Sequence, residues 1–277
     1  MDTEQLLFSS KTISLSLPDN PTQEHLQTAF IILCGLRQLG KYVLLEGKQS
    51  EKPLLSQIGN NARNEEKAYS LILKGIAPFI SRVYYEKDAN DLKFFFSLSR
   101  GSIEKDQIQL SFLRTADLAV IIGNPSSRND QAPSIDANEV RQSILRNLLP
   151  QQAPSLHLTG IAYSKLEQLP GTPLFTGVLA SEDFQTANAS TKDIAKTITN
   201  LSSFGPQYSF AILYQPNTRQ PSSGIVWSPS EELREKVVHA FGGSEKNQWV
   251  LFSLQEQNLP EAKIRLINTL SPLWHQA

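Results

Sequence analysis

The chain has 277 residues, 40% of them hydrophobic and 19% charged, with Lys plus Arg at 26 and Asp plus Glu at 27. That is enough apolar sequence for a packed core, and too even a charge balance for a protein that coats nucleic acid or an acidic membrane through bulk charge. A single cysteine, Cys34, excludes an internal disulfide and a zinc cluster of cysteine ligands.

Cys34 lies in an apolar helical run and reads as a small buried hydrophobe. His25, His157, His239 and His275 are scattered, with no H-x-x-x-H pair. The start, "MDTEQLLFSSK", is acidic and has no long apolar core, and no apolar run reaches the length of a membrane span. The expectation is a cytoplasmic protein without a membrane partner.

In chain order, "KTISLSL" (11–17) alternates as a strand does. "TQEHLQTAFIILCGLRQLG" carries apolar residues at Leu26, Ala29, Phe30, Leu33, Leu36 and Leu39, which is helical spacing. Thr22 is a fitting N-cap and Gly40 a fitting stop. "KYVLLEG" (41–47) is the next strand, so this is a βαβ unit and implies a parallel sheet. Further on, "LKFFFSLSR" (92–100) and "QIQLSFL" (107–113) read as a hairpin around Gly101. "DLAVIIG" (117–123) is continuously apolar, as a strand buried on both faces is. Asp117 opens that strand at a turn. "ANEVRQSILRNLL" (137–149) and "TKDIAKTITNLSSFG" (191–205) read as helices.

"YQPNTRQPSSG" (214–224) is rich in breakers and reads as a linker. The tail beyond it reads as strand, helix, strand, helix. The predicted fold class is α/β, with a mainly parallel-sheet N-terminal lobe and a smaller α/β C-terminal lobe. The predicted boundaries are 1–213, a linker at 214–224, and 225–277.

The order of these pieces resembles the DHH family of phosphoesterases with its associated C-terminal domain. That family includes nano-RNases, cyclic-dinucleotide phosphodiesterases, RecJ-like exonucleases and exopolyphosphatases. The first family motif, His-x-Asn-Pro-Asp-Gly-Asp, falls on "PDNPTQE". Asn20 and Pro21 match, Pro18 takes the histidine slot, and Thr22 and Glu24 take the aspartate slots. The second motif is an apolar strand ending in Asp, and here it ends in Gly123. The Asp-His-His signature maps onto "IDAN", giving Asp136, Ala137 and Asn138. The fourth motif resembles "TGVLASEDFQT", matching Gly177 and Phe184 with Ser181 in the aspartate slot. The C-terminal glycine loop resembles "FGGSEKNQW", with Gly242, Gly243, Lys246 and Asn247 in register and Glu245 in the histidine slot.

What the resemblance implies is a two-metal phosphoesterase scaffold, usually with Mn²⁺, from which the metal ligands are missing. The leading expectation is therefore a non-catalytic, pseudoenzyme-like binding or interaction module with no cofactor. Its best ligand candidates are Gly242, Gly243, Ser244, Lys246 and Asn247, where glycines free backbone N–H groups and Lys246 adds charge. The implied ligand is a nucleotide or short oligonucleotide. One alternative is an active phosphoesterase with a displaced Mn²⁺ site using Glu24, Asp136, Glu182 or Asp183. Another is a structural partner of an intact paralogue, in a homo- or hetero-oligomer. Glu182 and Asp183 otherwise read as solvated charge on a loop, and His25 as an exposed first-turn residue.

Overall fold

The structure is a computed structural model of the chain, and it describes residues 2–46, 69–73, 75, 77–87, 92–104, 107–112, 116–123, 132–218, 220–256 and 258–275. Two compact units are present: Met1–Ala62 with Ala116–Ala277, and Arg63–Thr115.

The larger unit begins with α1 (Thr3–Ser9), β1 (Thr12–Ser16), α2 (Gln23–Gln38) and β2 (Tyr42–Glu46). The smaller unit holds β3 (Tyr69–Leu73), β4 (Ile80–Lys87), β5 (Leu92–Leu98) and β6 (Ile108–Phe112). The larger unit resumes with β7 (Leu118–Ile121), β8 (Ser134–Asp136), α3 (Ala137–Ser143), α4 (Ala153–Ser164), β9 (Glu167–Gln168) and β10 (Leu174–Leu179). It continues with α5 (Ser181–Ala187), α6 (Ile194–Phe204), β11 (Ser209–Tyr214), β12 (Ser223–Trp227), α7 (Glu231–Phe241), β13 (Ser244–Lys246), β14 (Trp249–Ser253) and α8 (Leu259–His275).

The fold is α/β, as the sequence predicts. β1, β2, β7 and β8 form a four-stranded sheet of order β2-β1-β7-β8, and every pair in it is parallel. The three strands predicted for that sheet, near 11–17, 41–46 and 117–123, are all in it. The second sheet is six-stranded and mixed, of order β13-β14-β12-β11-β10-β9. β10 and β11 pair in parallel across the α5–α6 crossover, and its other neighbours are antiparallel.

Alternation along the strands of this second sheet separates two cores. Phe175, Leu179, Phe210, Ile212, Tyr214, Ile225 and Trp227 face a cluster shared with α2, α4, α6, β1 and β7. Leu174, Ala211, Leu213, Val226, Val250 and Phe252 face α7 and α8. A helical layer thus lies between the two sheets, and a second one covers the far face of the mixed sheet.

α2 is the central element of the shared core. Thr28 through Leu36 are all buried, so the helix is enclosed on every side there. The Phe30 ring stacks on Tyr163 at 3.9 Å and meets Phe204 edge-on at 4.8 Å. α4 crosses α2 at Gly160, where a Cβ would lie 2.8 Å from the Gln27 carbonyl oxygen and 2.7 Å from Ile31 Cγ1, so only glycine fits.

Two expectations need correction. The stretch 214–224 is not an interdomain linker but the connection between β11 and β12, adjacent antiparallel strands of one sheet. Gln215 closes it, donating its backbone N–H to the Leu179 carbonyl (3.0 Å) and its side-chain amide to the Gln220 carbonyl (2.7 Å). Breakers mark a reversal of the chain in either case, and composition does not say whether the next strand returns to the same sheet. Similarly, among the described residues of 92–100 and 107–113, the two strands do not pair with each other. β5 pairs with β4, and β6 with β3.

Candidate functional site at the carboxyl ends of the parallel sheet

The chain leaves β1 towards β2 on one side, and β7 lies on the other. The strand order therefore reverses between β1 and β7, and such a switch point is where open α/β sheets place a ligand. One register row, Glu46, Ser16, Ile121 and Asp136, runs across that edge. The first-motif loop, Gly123 and Asp136 all follow from it, so the fold collects three of the predicted slots at one sheet edge.

Their side chains, however, are committed to structure. Thr22 caps α2: its Oγ1 accepts the His25 backbone N–H at 3.3 Å. His25 Nδ1 in turn accepts the Thr22 N–H at 3.2 Å, which closes a capping box and leaves the neutral ring's proton on Nε2. Gly123 has φ +61, in the left-handed region, and a Cβ placed there would lie 3.1 Å from His25 Nε2 and 3.2 Å from Cε1. Pro18 Cγ would be 3.6 Å away. The His25 ring therefore occupies the space into which any side chain at position 123 would grow. Asp136 caps α3, with Oδ1 accepting the Asn138 N–H at 2.8 Å. Asn20 and Glu24 are exposed.

A pair of divalent ions needs several free anionic oxygens and imidazole nitrogens. At this edge one hydroxyl, one imidazole nitrogen and one carboxylate oxygen already accept N–H groups, and glycine supplies nothing. This donor set, among the described residues, does not fit a two-ion cluster. Among the described residues, no three His, Cys, Asp or Glu side chains are grouped so as to hold a metal ion.

Ser181, in the fourth slot, opens α5 after β10 of the mixed sheet. Glu182 and Asp183 sit in the first turn of α5 rather than on a loop. Asp183 accepts the Ala180 N–H at 2.8 Å and pairs with Lys165 at 2.6 Å, so its charge is already neutralised. The residue that meets the first loop from this direction is Ser164, which sequence reasoning missed. The side-chain amides of Gln23 and Gln27 both donate to its Oγ, at 3.3 and 3.2 Å. The signal available was a polar pair at i,i+4 on the apolar α2.

The glycine loop divides into three structural parts. Gly242, φ +69, is the left-handed cap of α7. Gly243 passes so close to β14 that a Cβ would lie 2.4 Å from the Leu251 carbonyl oxygen. Ser244 to Lys246 then form β13, and Asn247 (φ 50) and Gln248 (φ 67) are the two left-handed residues of a tight hairpin into β14. Glu245 pairs with Arg234 at 2.5 Å, and Arg234 also donates to the Ser228 carbonyl. Lys246 and Asn247 are exposed.

Burial pushes the Cys34 thiol far up, with Arg37 opposing weakly, so Cys34 is inert. His157 is half-buried, and burial, then the Arg141 cation, lowers its pKa. Arg141 itself donates to Thr28 Oγ1 at 3.3 Å. Asp117 accepts the backbone N–H groups of Thr12 and Lys11, which lower its pKa.

No protein-family profile matches the sequence, and no curated protein does. Among solved structures, the chain is similar to an exopolyphosphatase-related protein from Bacteroides fragilis. The two share 8% identity over 97% of this chain and 94% of that one, with a TM-score of 0.37. At that TM-score the likeness transfers no residue role and no substrate. No helix among the described residues is long and apolar enough to cross a membrane.

Proposed function

We propose that this chain is a non-catalytic module on a phosphoesterase-like scaffold, one that binds or assembles rather than hydrolyses. The observation that carries this reading is the His25 ring. Held by the Thr22 N–H on one edge, it fills with its other edge the space beyond Gly123 where a metal-binding side chain would stand. The displaced-site alternative draws on Glu24, Asp136, Glu182 or Asp183; Asp136 is engaged as a helix cap and Asp183 with Lys165, which leaves the exposed Glu24 and Glu182 to carry it.

The ligand surface of this proposal is the β13–β14 hairpin. Arg234 neutralises Glu245, which leaves Lys246 as the exposed charge beside Asn247. A nucleotide or short oligonucleotide held there would be held through its phosphate, and binding would weaken with salt.

The test is the purified chain with Mn²⁺ or Mg²⁺ and short RNA, cyclic dinucleotides or polyphosphate. The expected result is no turnover, with any salt-sensitive binding lost in Lys246→Ala. Turnover that disappears in Glu24→Gln at unchanged stability would replace this reading with a rewritten active site.

A further inference from the structure

In the β4–β5 hairpin, β4 is open to water, while β5 is half-buried at Phe95, Phe96 and Leu98. In β4, Ser81 through Lys87 are all exposed, with Val83 at 58%, Tyr84 at 51% and Tyr85 at 70%, and Phe94 of β5 is at 49%. Tyr84 stacks on Phe95 at 4.8 Å, and Tyr85 is opposite Phe94 with ring centres 6.4 Å apart. An isolated two-stranded ribbon is marginal in water, and an exposed strand edge invites another strand. Among the described residues, β4 pairs with β5 alone. The one irregularity in the β4–β5 ladder is between Ile80 and Arg82, at the base, so β4 is regular from Arg82 to Lys87.

The charges on that edge select its occupant. We propose that β4 pairs antiparallel with β4 of a second copy of this chain, on a two-fold axis at Tyr84. In that register Arg82 faces the partner's Glu86 at both ends, Tyr84 faces the partner's Tyr84, and Val83 faces the partner's Tyr85. The smallest shift that keeps the two-fold is two residues; it sets Tyr84 against the partner's Glu86 and Val83 against the partner's Lys87, and loses both Arg82–Glu86 pairs. The edge of β5, "LKFFFSL", carries only Lys93 and offers no charge match to itself. A two-fold contact closes on itself, which is the commonest symmetry of soluble oligomers. Nucleic acid fits less well. Glu86 interrupts the cations of β4, and the chain as a whole has a net charge of −1.

One strand edge with these side chains is an interface at the small end, under about 1,200 Å² in total. An interface of that size falls in the weak, transient class. This proposal does not depend on the binding function above.

The experiment is sedimentation of the full chain from about 5 to 500 µM, a range suited to a weak, transient interface. The wild type is expected to pass from monomer to dimer. Arg82→Glu and Glu86→Arg should each weaken the dimer at least about tenfold, since each creates two like-charge pairs. An equimolar mixture of the two variants should restore association. In the mixed dimer the two substituted positions face each other with opposite charges at one end, and the native Arg82–Glu86 pair survives at the other. Independently, Tyr84→Cys should form a disulfide-linked dimer under mild oxidation, since residues directly opposite lie within bonding range and Cys34 is buried. Wild type that remains monomeric, assembly that continues past the dimer, or a dimer indifferent to both charge reversals would overturn the proposal. So would a mixture that fails to associate. If the monomer bound short RNA through the ribbon instead, the face would belong to nucleic acid.

Discussion

Phe30 and Tyr163 stack at 3.9 Å inside a closed layer of helices, and Tyr84 and Phe95 stack at 4.8 Å on a ribbon exposed to water. The first pair is held from all sides. Phe204 meets Phe30 edge-on, and α4 approaches α2 closely enough at Gly160 to exclude even a methyl group. In the second pair Tyr84 is exposed, and among the described residues its strand pairs with one other alone. The same ring geometry therefore has two uses. In the large unit, aromatic surface is already removed from water and contributes to folding. In the ribbon it is still available for association.

Stability measurements test that contrast directly. Phe30→Ala should cost about 3–5 kcal/mol, the range for deleting an enclosed ring. Tyr85→Ala should change the monomer by less than about 0.5 kcal/mol, as exposed substitutions usually do. Urea denaturation of both variants at a concentration below dimerisation measures the difference. Equal costs would mean that the ribbon is buried in the folded chain and would remove the contrast.

Gly123→Asp should rank next. It forces a side chain into a left-handed backbone and against the His25 ring, for about 1–3 kcal/mol. Metal analysis belongs with that measurement. A variant of native stability that retains Mn²⁺ and cleaves a phosphodiester would show that the site lacked only its ligand. Thr22→Ala should cost about 1 kcal/mol through loss of the α2 cap.

A smaller effect depends on pH. The folded-state pKa of His157 is below its ordinary value, chiefly through burial and then through Arg141. Its contribution is complete above about pH 6.5 and is lost as pH falls towards the folded pKa, because the unfolded chain then binds the extra proton. Asp117 acts with the same sign at more acid pH. Replacing His157 with Gln should flatten the slope below pH 6.5 in pH-dependent denaturation, and an unchanged slope would place the titrating group elsewhere. Glu24→Gln should change stability by a few tenths to about 1 kcal/mol, as for a charge in the first turn of α2, read by the same denaturation.

Features that depend on neighbours within a few residues were legible from the residue order. α2 was legible from Thr22 to Gly40 because cap, apolar spacing and stop agree. β1, β2 and β7 were legible as parallel because a helix separates the first two strands and the third is apolar throughout. The first-motif loop and Gly123 could also be named as one locus, from the family resemblance. What the residues do there could not. The closing of the Thr22–His25 box and the filling of the space beyond Gly123 depend on where a ring points once β1 and β7 are adjacent. Ser164 joins the locus only because α4 runs back along α2. Likewise 214–224 shows its breakers in the sequence, but whether the chain then leaves the sheet or returns to it was decided by the pairing of β11 with β12. Residue pattern fixes local conformation because the interactions involved span three or four positions. Strand partners, ring orientations and ion pairs such as Arg234–Glu245 are settled when distant segments compete to bury the same surface.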